Sequence, residues 1–143
     1  MIDSILLVDD EDLFHLVFED GCSLLDITLS LTSMKSSDEA AKLFQKWQTE
    51  PSKRPECVFV DLNIIGSSFD GIELIRKVNY EYGNNVVIGI ISSSNEPDEQ
   101  TKAMHAGAQF WIIKSDDIEP RLEEFKKDYD GYKNKTAPFK VYK

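Results

Sequence analysis

Four short apolar runs, each ending in a polar residue, constrain what this chain can fold into more than any other feature. They are Ile5-Leu6-Leu7-Val8 before Asp9-Asp10, Val58-Phe59-Val60 before Asp61, Val86-Val87-Ile88-Gly89-Ile90-Ile91 before Ser92, and Phe110-Trp111-Ile112-Ile113 before Lys114. Short, near-continuous apolar runs of this kind belong to strands buried on both faces of a parallel sheet. Their polar ends then share one sheet edge, the edge where open α/β sheets bind ligands. Three carboxylates, a hydroxyl and an amine meeting there have the makings of a divalent-cation site beside a phosphoryl acceptor.

Between the runs the hydrophobic period changes to that of helices, and this alternation gives an α/β class with helices on both faces of a parallel sheet. Leu13, Phe14, Leu16, Val17, Leu24 and Leu25 place a first helix over residues 11–25, with Gly21 as its weak point. The apolar–polar alternation of Ile27-Thr28-Leu29-Ser30-Leu31-Thr32 predicts a half-buried second strand. Ser37 or Asp38 caps a second helix through Trp47, whose apolar stripe is Ala40, Ala41, Leu43, Phe44 and Trp47. Pro51 to Pro55 ends that helix. Asp70 and Glu73 have the spacing of a capping box for a third helix that runs to Tyr82. Pro97 opens a fourth helix and Gly107 closes it, while a fifth starts at Asp116 or Asp117 and stops at Gly131.

A chain of 143 residues suffices for one domain around one core. Residues 1–130 form that domain, and 131–143 are expected to be a flexible basic tail. The net charge of -10 repels nucleic acid and anionic membrane, so neither is an expected partner. Cys22 and Cys57 lack metal-ligand spacing and read as small buried apolar residues of a reducing compartment. With no basic leader at the start and no apolar stretch of membrane-spanning length, a soluble, cytoplasmic protein is expected.

Five segments carry a resemblance to a known family: Leu6-Leu7-Val8-Asp9-Asp10-Glu11, Val58-Phe59-Val60-Asp61-Leu62-Asn63, Phe69-Asp70-Gly71, Ile90-Ile91-Ser92-Ser93, and Ala106-Gly107-Ala108 with Lys114. In order and spacing they resemble the CheY-like receiver domains of two-component response regulators, over residues 3–130. The resemblance implies a flavodoxin-like, doubly wound, five-stranded parallel sheet of order 2-1-3-4-5. Right-handed crossovers then make strands one and three neighbours, which gathers Asp9, Asp10 and Asp61.

The resemblance also implies roles. Asp61 matches the phosphoacceptor, whose carboxylate attacks a phosphohistidine on a sensor histidine kinase or histidine phosphotransfer protein. Mg²⁺ is the implied cofactor, held directly by Asp10, Asp61 and the backbone carbonyl of Asn63 and through water by Asp9. Lys114 pairs with Asp61 and then with a phosphoryl oxygen, and Ser92 offers its hydroxyl to another. Trp111 matches an aromatic that moves when the Ser92-Ser93-Ser94 loop moves, which alters the surface of helix four, strand five and helix five. That face is where a downstream protein or a second copy would bind. The expected function is a stand-alone receiver in a phosphorelay, a phosphoacceptor rather than an enzyme.

Two departures accompany the resemblance. Ser115 stands where the family has proline, and the stretch from Leu62 to Phe69 is longer by about two residues, so Ile64 to Ser68 are expected to bulge beside the site. A non-phosphorylated adaptor of the same fold is the main alternative. A phosphoaspartyl hydrolase is disfavoured because Asn63 stands where such an enzyme needs an acid. A flavodoxin is disfavoured by the acidic turn Asp9-Asp10-Glu11-Asp12, and His15 and His105 read as ordinary surface or packing histidines.

Overall fold

Each apolar run becomes a strand, and the parallel sense of the strands follows from the helices that connect them. In a computed structural model, which describes residues 2–28, 30–64, 70–83 and 85–143, the strands are β1 (Ile5–Val8), β2 (Leu31–Met34), β3 (Cys57–Asp61), β4 (Val87–Ser92), β5 (Phe110–Ile113) and β6 (Lys140–Tyr142). The helices are α1 (Asp12–Leu24), α2 (Ser37–Thr49), α3 (Gly71–Tyr82), α4 (Pro97–Ala106) and α5 (Glu119–Lys133), with a 3-10 turn at Pro51–Lys53. All pairings are parallel, and the sheet order is β2-β1-β3-β4-β5-β6. The doubly wound order expected for five strands is present, extended by a sixth.

Alternate side chains of a strand point to opposite faces, and here both faces are covered. Leu6, Val8, Val58, Val60, Ile88, Ile90 and Trp111 pack in a cluster with α2, α3 and α4 residues such as Phe44, Trp47, Leu74 and Ala103. Ile5, Leu7, Phe59, Val87, Ile91, Phe110 and Ile112 pack in a second cluster with Phe18 of α1 and Leu122 and Phe125 of α5. That double burial is why the strand sequences are apolar without a break. Cys22 and Cys57 are buried free thiols, and burial pushes Cys22 up to about 12, out of reach of thiolate chemistry at neutral pH.

Gly21, the weak point of α1, has a packing reason. A Cβ there would come within 3.1 Å of Ile118 and Leu122, so its absence lets α1 and α5 approach. The capping box of α3 is present: Asp70 accepts from Glu73 N at 2.8 Å and Glu73 accepts from Asp70 N at 3.3 Å.

Three boundaries differ from the expectations. Ser36, not Ser37 or Asp38, caps α2 by accepting from Glu39 N, and Ser37 is buried behind it. The second strand lies later than 27–32. Asp26 turns the chain with φ 49, Ile27 N is tied back to Cys22 O, and Thr28 makes only an isolated bridge to Ile2. Pairing in register with Ile5 therefore starts at Leu31. α5 begins at Glu119, with Pro120 in its first turn, and passes through Gly131 to Lys133.

The largest correction concerns residues 131–143, expected to be a flexible tail. They fold back: Lys135 turns with φ 58, the amides of Thr136 and Ala137 bond to Gly131 O, and β6 pairs along β5. Tyr142 is buried, its hydroxyl donating to Asp128 Oδ2 at 2.7 Å and lying 2.8 Å from the Tyr132 hydroxyl. Lys140 pairs with Glu124 at 2.7 Å and Asp128 at 3.0 Å. The basic residues that suggested a solvated tail are answered by acids on α5. Truncation after Gly131 removes two buried tyrosines and should lower stability by at least about 3 kcal/mol, seen as a reduced urea midpoint. A midpoint equal to that of the full chain would show that the segment contributes nothing.

Candidate functional site at the carboxyl edge of the sheet

Register decides which polar residues meet. Val8 stands opposite Val60 across the β1–β3 pair, so Asp9 and Asp61, one position on, lie side by side. Both are buried, at 0% and 4% exposure. Ser92 ends β4 and is paired with Ile113, which brings the next residue, Lys114, to the same edge, its amide donating to Ser92 O at 2.8 Å.

Lys114 organises the charges. Its Nζ lies 2.7 Å from Asp9 Oδ2, 3.4 Å from Asp61 Oδ2 and 3.2 Å from Glu11 Oε1, and 4.7 Å from the centre of the Phe14 ring. Asp9 Oδ1 accepts from Glu11 N at 2.8 Å, and His15 reaches back from α1 to bond the Asp9 carbonyl through Nε2. His15, read from the sequence as ordinary, thus holds the 9–11 turn. On the other side, a Cβ on Gly71 would lie 2.2 Å from the Asp61 carbonyl oxygen, so only glycine lets α3 begin this close to the end of β3. Gly71 N closes the contact on Leu62 O at 3.1 Å.

One lysine does not balance these acids. Burial raises the Asp61 pKa to about 7, helped by the Asp9 charge and opposed by Lys114 and the Asn63 backbone N–H. Asp9 is also raised, by burial first, against the pull of Lys114 and the Glu11 amide. For Lys114, burial lowers the pKa, but Asp9, Asp61 and Glu11 outweigh it and the ammonium is held charged.

The donor set suits a hard divalent cation. One carboxylate oxygen each from Asp9, Glu11 and Asp61 lies within 4.8 Å of the others, and oxygen ligands with room for water are what Mg²⁺ takes. Asp9 Oδ2 is fully buried without an aligned hydrogen bond among the described residues, although Lys114 sits 2.7 Å away. The ammonium thus neutralises that oxygen without saturating it. Glu11 was not singled out from the sequence; its place in the cluster follows from the amide contact that folds the turn back on Asp9. Asp10 is half-buried on the same turn, and Asn63 is exposed at the end of β3.

Ser92 and Trp111 lie deeper than a sequence shows. Ser92 is buried, and its hydroxyl accepts from Ser94 N at 3.1 Å. Ser94 donates through Oγ to Glu99 of α4 at 2.9 Å, and its carbonyl accepts from Trp111 Nε1 at 3.0 Å. Trp111 is fully buried. Ser115, in place of the family's proline, accepts from Asp117 N, and no cis peptide bond occurs among the described residues. The bulge expected over Ile64 to Ser68 lies outside the described residues from position 65 on, while Ile64 itself packs into the core.

Comparison with known proteins agrees with this fold. The family described as response regulator receiver domain matches residues 5–124. Among solved structures, NtrX from Brucella abortus superposes with a TM-score of 0.76 at 21% identity, over 94% of this chain and 28% of that one. The isolated REC domain of RcsB from Salmonella enterica serovar Typhimurium gives a TM-score of 0.75 at 13% identity, over 98% and 94% of the two chains. Response regulator RPA3017 of R. palustris gives 0.75 at 18% identity, over 95% and 96%. At these identities the likeness is one of fold, and the chain spans little more than a quarter of the NtrX chain. No curated protein sequence matches the chain.

The raised Asp61 pKa has a consequence for stability. Unfolded, this carboxyl titrates near its ordinary 3.8, and folded near 7, so between those values the folded state holds a proton that the unfolded state lacks. The Asp61 contribution to stability therefore rises as pH falls from 7 toward 5 and is smallest above 7. Glu56, whose pKa is lowered, acts in the opposite sense only below that window. At pH 8 without divalent cations, Asp61→Asn should be more stable than the wild type by on the order of 1–3 kcal/mol, a gap that narrows at pH 5. Thermal melts at both pH values decide it, and an equal or lower Tm for the variant at pH 8 would contradict the account.

Proposed function

The chain belongs to the response regulator receiver domain family of two-component signalling, and on that premise we propose that Asp61 is its phosphoacceptor. The observation that carries the reading is a buried strand-end carboxylate flanked by a second carboxylate and a lysine at 3.4 Å. The donor is a phosphohistidine of a histidine kinase or histidine phosphotransfer protein. An Asp61 oxygen attacks phosphorus, the bond from phosphorus to the imidazole nitrogen breaks, and an acyl phosphate forms on Asp61.

Such a transfer depends on position and charge. Bound Mg²⁺ supplies neutralisation of the acceptor and phosphoryl oxygens. Asp61 and the 9–11 turn would hold it; likeness to the family would make Asp10 and the Asn63 carbonyl direct ligands and Asp9 a ligand through water, and Glu11 lies in the same acidic cluster. Lys114 is already in contact with both buried carboxylates and moves its charge to a phosphoryl oxygen. Ser92 turns its hydroxyl to another. Burial raises the Asp61 pKa to about 7, so a cation that favours the carboxylate also prepares the nucleophile.

The donor has a surface to meet. Leu13, Leu16 and Leu24 of α1 are 78%, 59% and 68% exposed, and a groove lined by Leu13, Phe14, Val17 and Ser115 runs beside Lys114. An apolar helix face next to an acidic pocket suits a protein that carries the phosphohistidine, and the net charge of -10 favours a protein target for the signal as well.

The direct test is incubation with Mg²⁺ and acetyl phosphate, followed by intact mass measurement. Wild type should gain one hydroxylamine-labile phosphoryl group and Asp61→Asn none. Absence of an adduct from both acetyl phosphate and a phosphohistidine donor leaves the non-phosphorylated adaptor. Calorimetry should show Mg²⁺ affinity falling roughly tenfold per pH unit below 7, as protons compete for Asp61; affinity independent of pH between 8 and 6 would remove Asp61 from the ligand set.

A further inference from the structure

The strand β6 adds a feature that the phosphoacceptor reading does not use. It is three residues long and pairs Lys140, Val141 and Tyr142 with Phe110, Trp111 and Ile112. Without it β5 would be an edge strand with a row of unpaired backbone groups. Val141 and Phe139 pack against the cluster that contains Trp111, while Tyr142 packs on the opposite face with Phe125 and Tyr132. The strand therefore grips both faces of the sheet at its rim.

A continuous path joins it to the site. Ser92 Oγ accepts from Ser94 N, Ser94 O accepts from the Trp111 indole, and Trp111 stands beside Val141 in the sheet. We propose that residues 139–142 are a strap that closes the β5 edge and holds Trp111 inside, and that phosphoryl capture at Asp61 loosens it through the Ser92–Ser94 loop. This rests on the phosphoacceptor reading. Its physical basis is that the Ser92 hydroxyl must turn toward the phosphoryl group, which draws on the loop that carries the Ser94 carbonyl. A buried indole N–H left without an acceptor is costly, so the ring follows its partner or seeks another. Val141 is the β6 residue in register with Trp111 and packs against the cluster that holds the ring.

The strap is a short terminal element at the rim of the sheet, so it can open locally while the central strands stay paired. It is short, it follows an exposed turn at residues 133–136, and Lys143 beyond it is exposed. Segments of this kind lie at the low end of local stability. It is held by the β5 ladder, by the buried Tyr142 ring with its hydroxyl on Asp128 and Tyr132, and by Lys140 on Glu124 and Asp128.

Hydrogen–deuterium exchange of the full chain, with and without Mg²⁺ and beryllium fluoride as the phosphoryl mimic, tests this. The amides of residues 140–142 should exchange about tenfold faster with the mimic bound, while those of β1 and β3 do not. Unchanged exchange at 140–142, with fluorine NMR showing the mimic seated, overturns the strap and leaves the phosphoacceptor reading standing. If the mimic does not seat, the phosphoacceptor reading fails, and the link is judged on the protein alone, because linkage is reciprocal. Val141→Asp, or the milder Tyr142→Phe if the first does not fold, should speed exchange at residues 93–95 and shift the Trp111 indole N–H resonance. A variant with released 140–142 amides but unchanged loop exchange and indole resonance overturns the proposal.

Discussion

The ion pairing of Lys114 with Asp9 and Asp61 is the interaction on which the site depends. Parallel pairing of β1 with β3 forces the two carboxylates together, and burial of both would be prohibitive without a cation in contact. Lys114 reaches them from β5, two strands from β3 and three from β1, with its Nζ lying 4.7 Å from the centre of the Phe14 ring of α1. The compensation is partial, since one ammonium faces three acids. That deficit keeps Asp61 near neutrality in pKa and leaves the pocket receptive to further positive charge.

The opposite end of the sheet shows what full compensation looks like. Glu56, just before β3, receives the Asp3 amide at 3.0 Å, the Tyr129 hydroxyl at 3.0 Å and Lys133 Nζ at 3.1 Å. Burial acts to raise its pKa, yet these donors bring it below the ordinary value. The same residue class at the two ends of one strand is thus stabilised as an anion at one end and destabilised as an anion at the other. The first is a structural fastening; the second is where chemistry is possible.

Between the site and the far rim of the sheet, the aromatic side chains divide by face. Phe59, Phe110, Phe125, Tyr129, Tyr132 and Tyr142 form a linked series on the α5 side, with ring centres 4.6 to 5.9 Å apart. Gly89 makes room for it: a Cβ there would lie 2.5 Å from the Phe110 ring. On the other face Trp111 is tied to the loop beyond Ser92 by a hydrogen bond as well as by packing. Movement at the site can therefore reach one face through a directed bond, while the other is anchored by bulk.

Much of this was legible in the chain. Strands buried on both faces must be apolar throughout, so four of them announce themselves and their polar ends name Asp9, Asp61, Ser92 and Lys114. Punctuation by Asp70, Pro97 and Gly107 is local chemistry, and it placed α3 and α4 correctly. Other features depended on contacts between distant residues. Glu11 enters the acidic cluster through a turn, and His15 matters because a helix brings it back to a carbonyl. The residues after Gly131 look like a solvated tail because lysines favour water in isolation, and only the acids of α5 and the open rim of β5 make them a strand. Hydrophobic period and capping are written in neighbouring residues and so are settled by sequence alone, whereas charge neutralisation and edge pairing need partners far apart in the chain, which only the tertiary structure supplies.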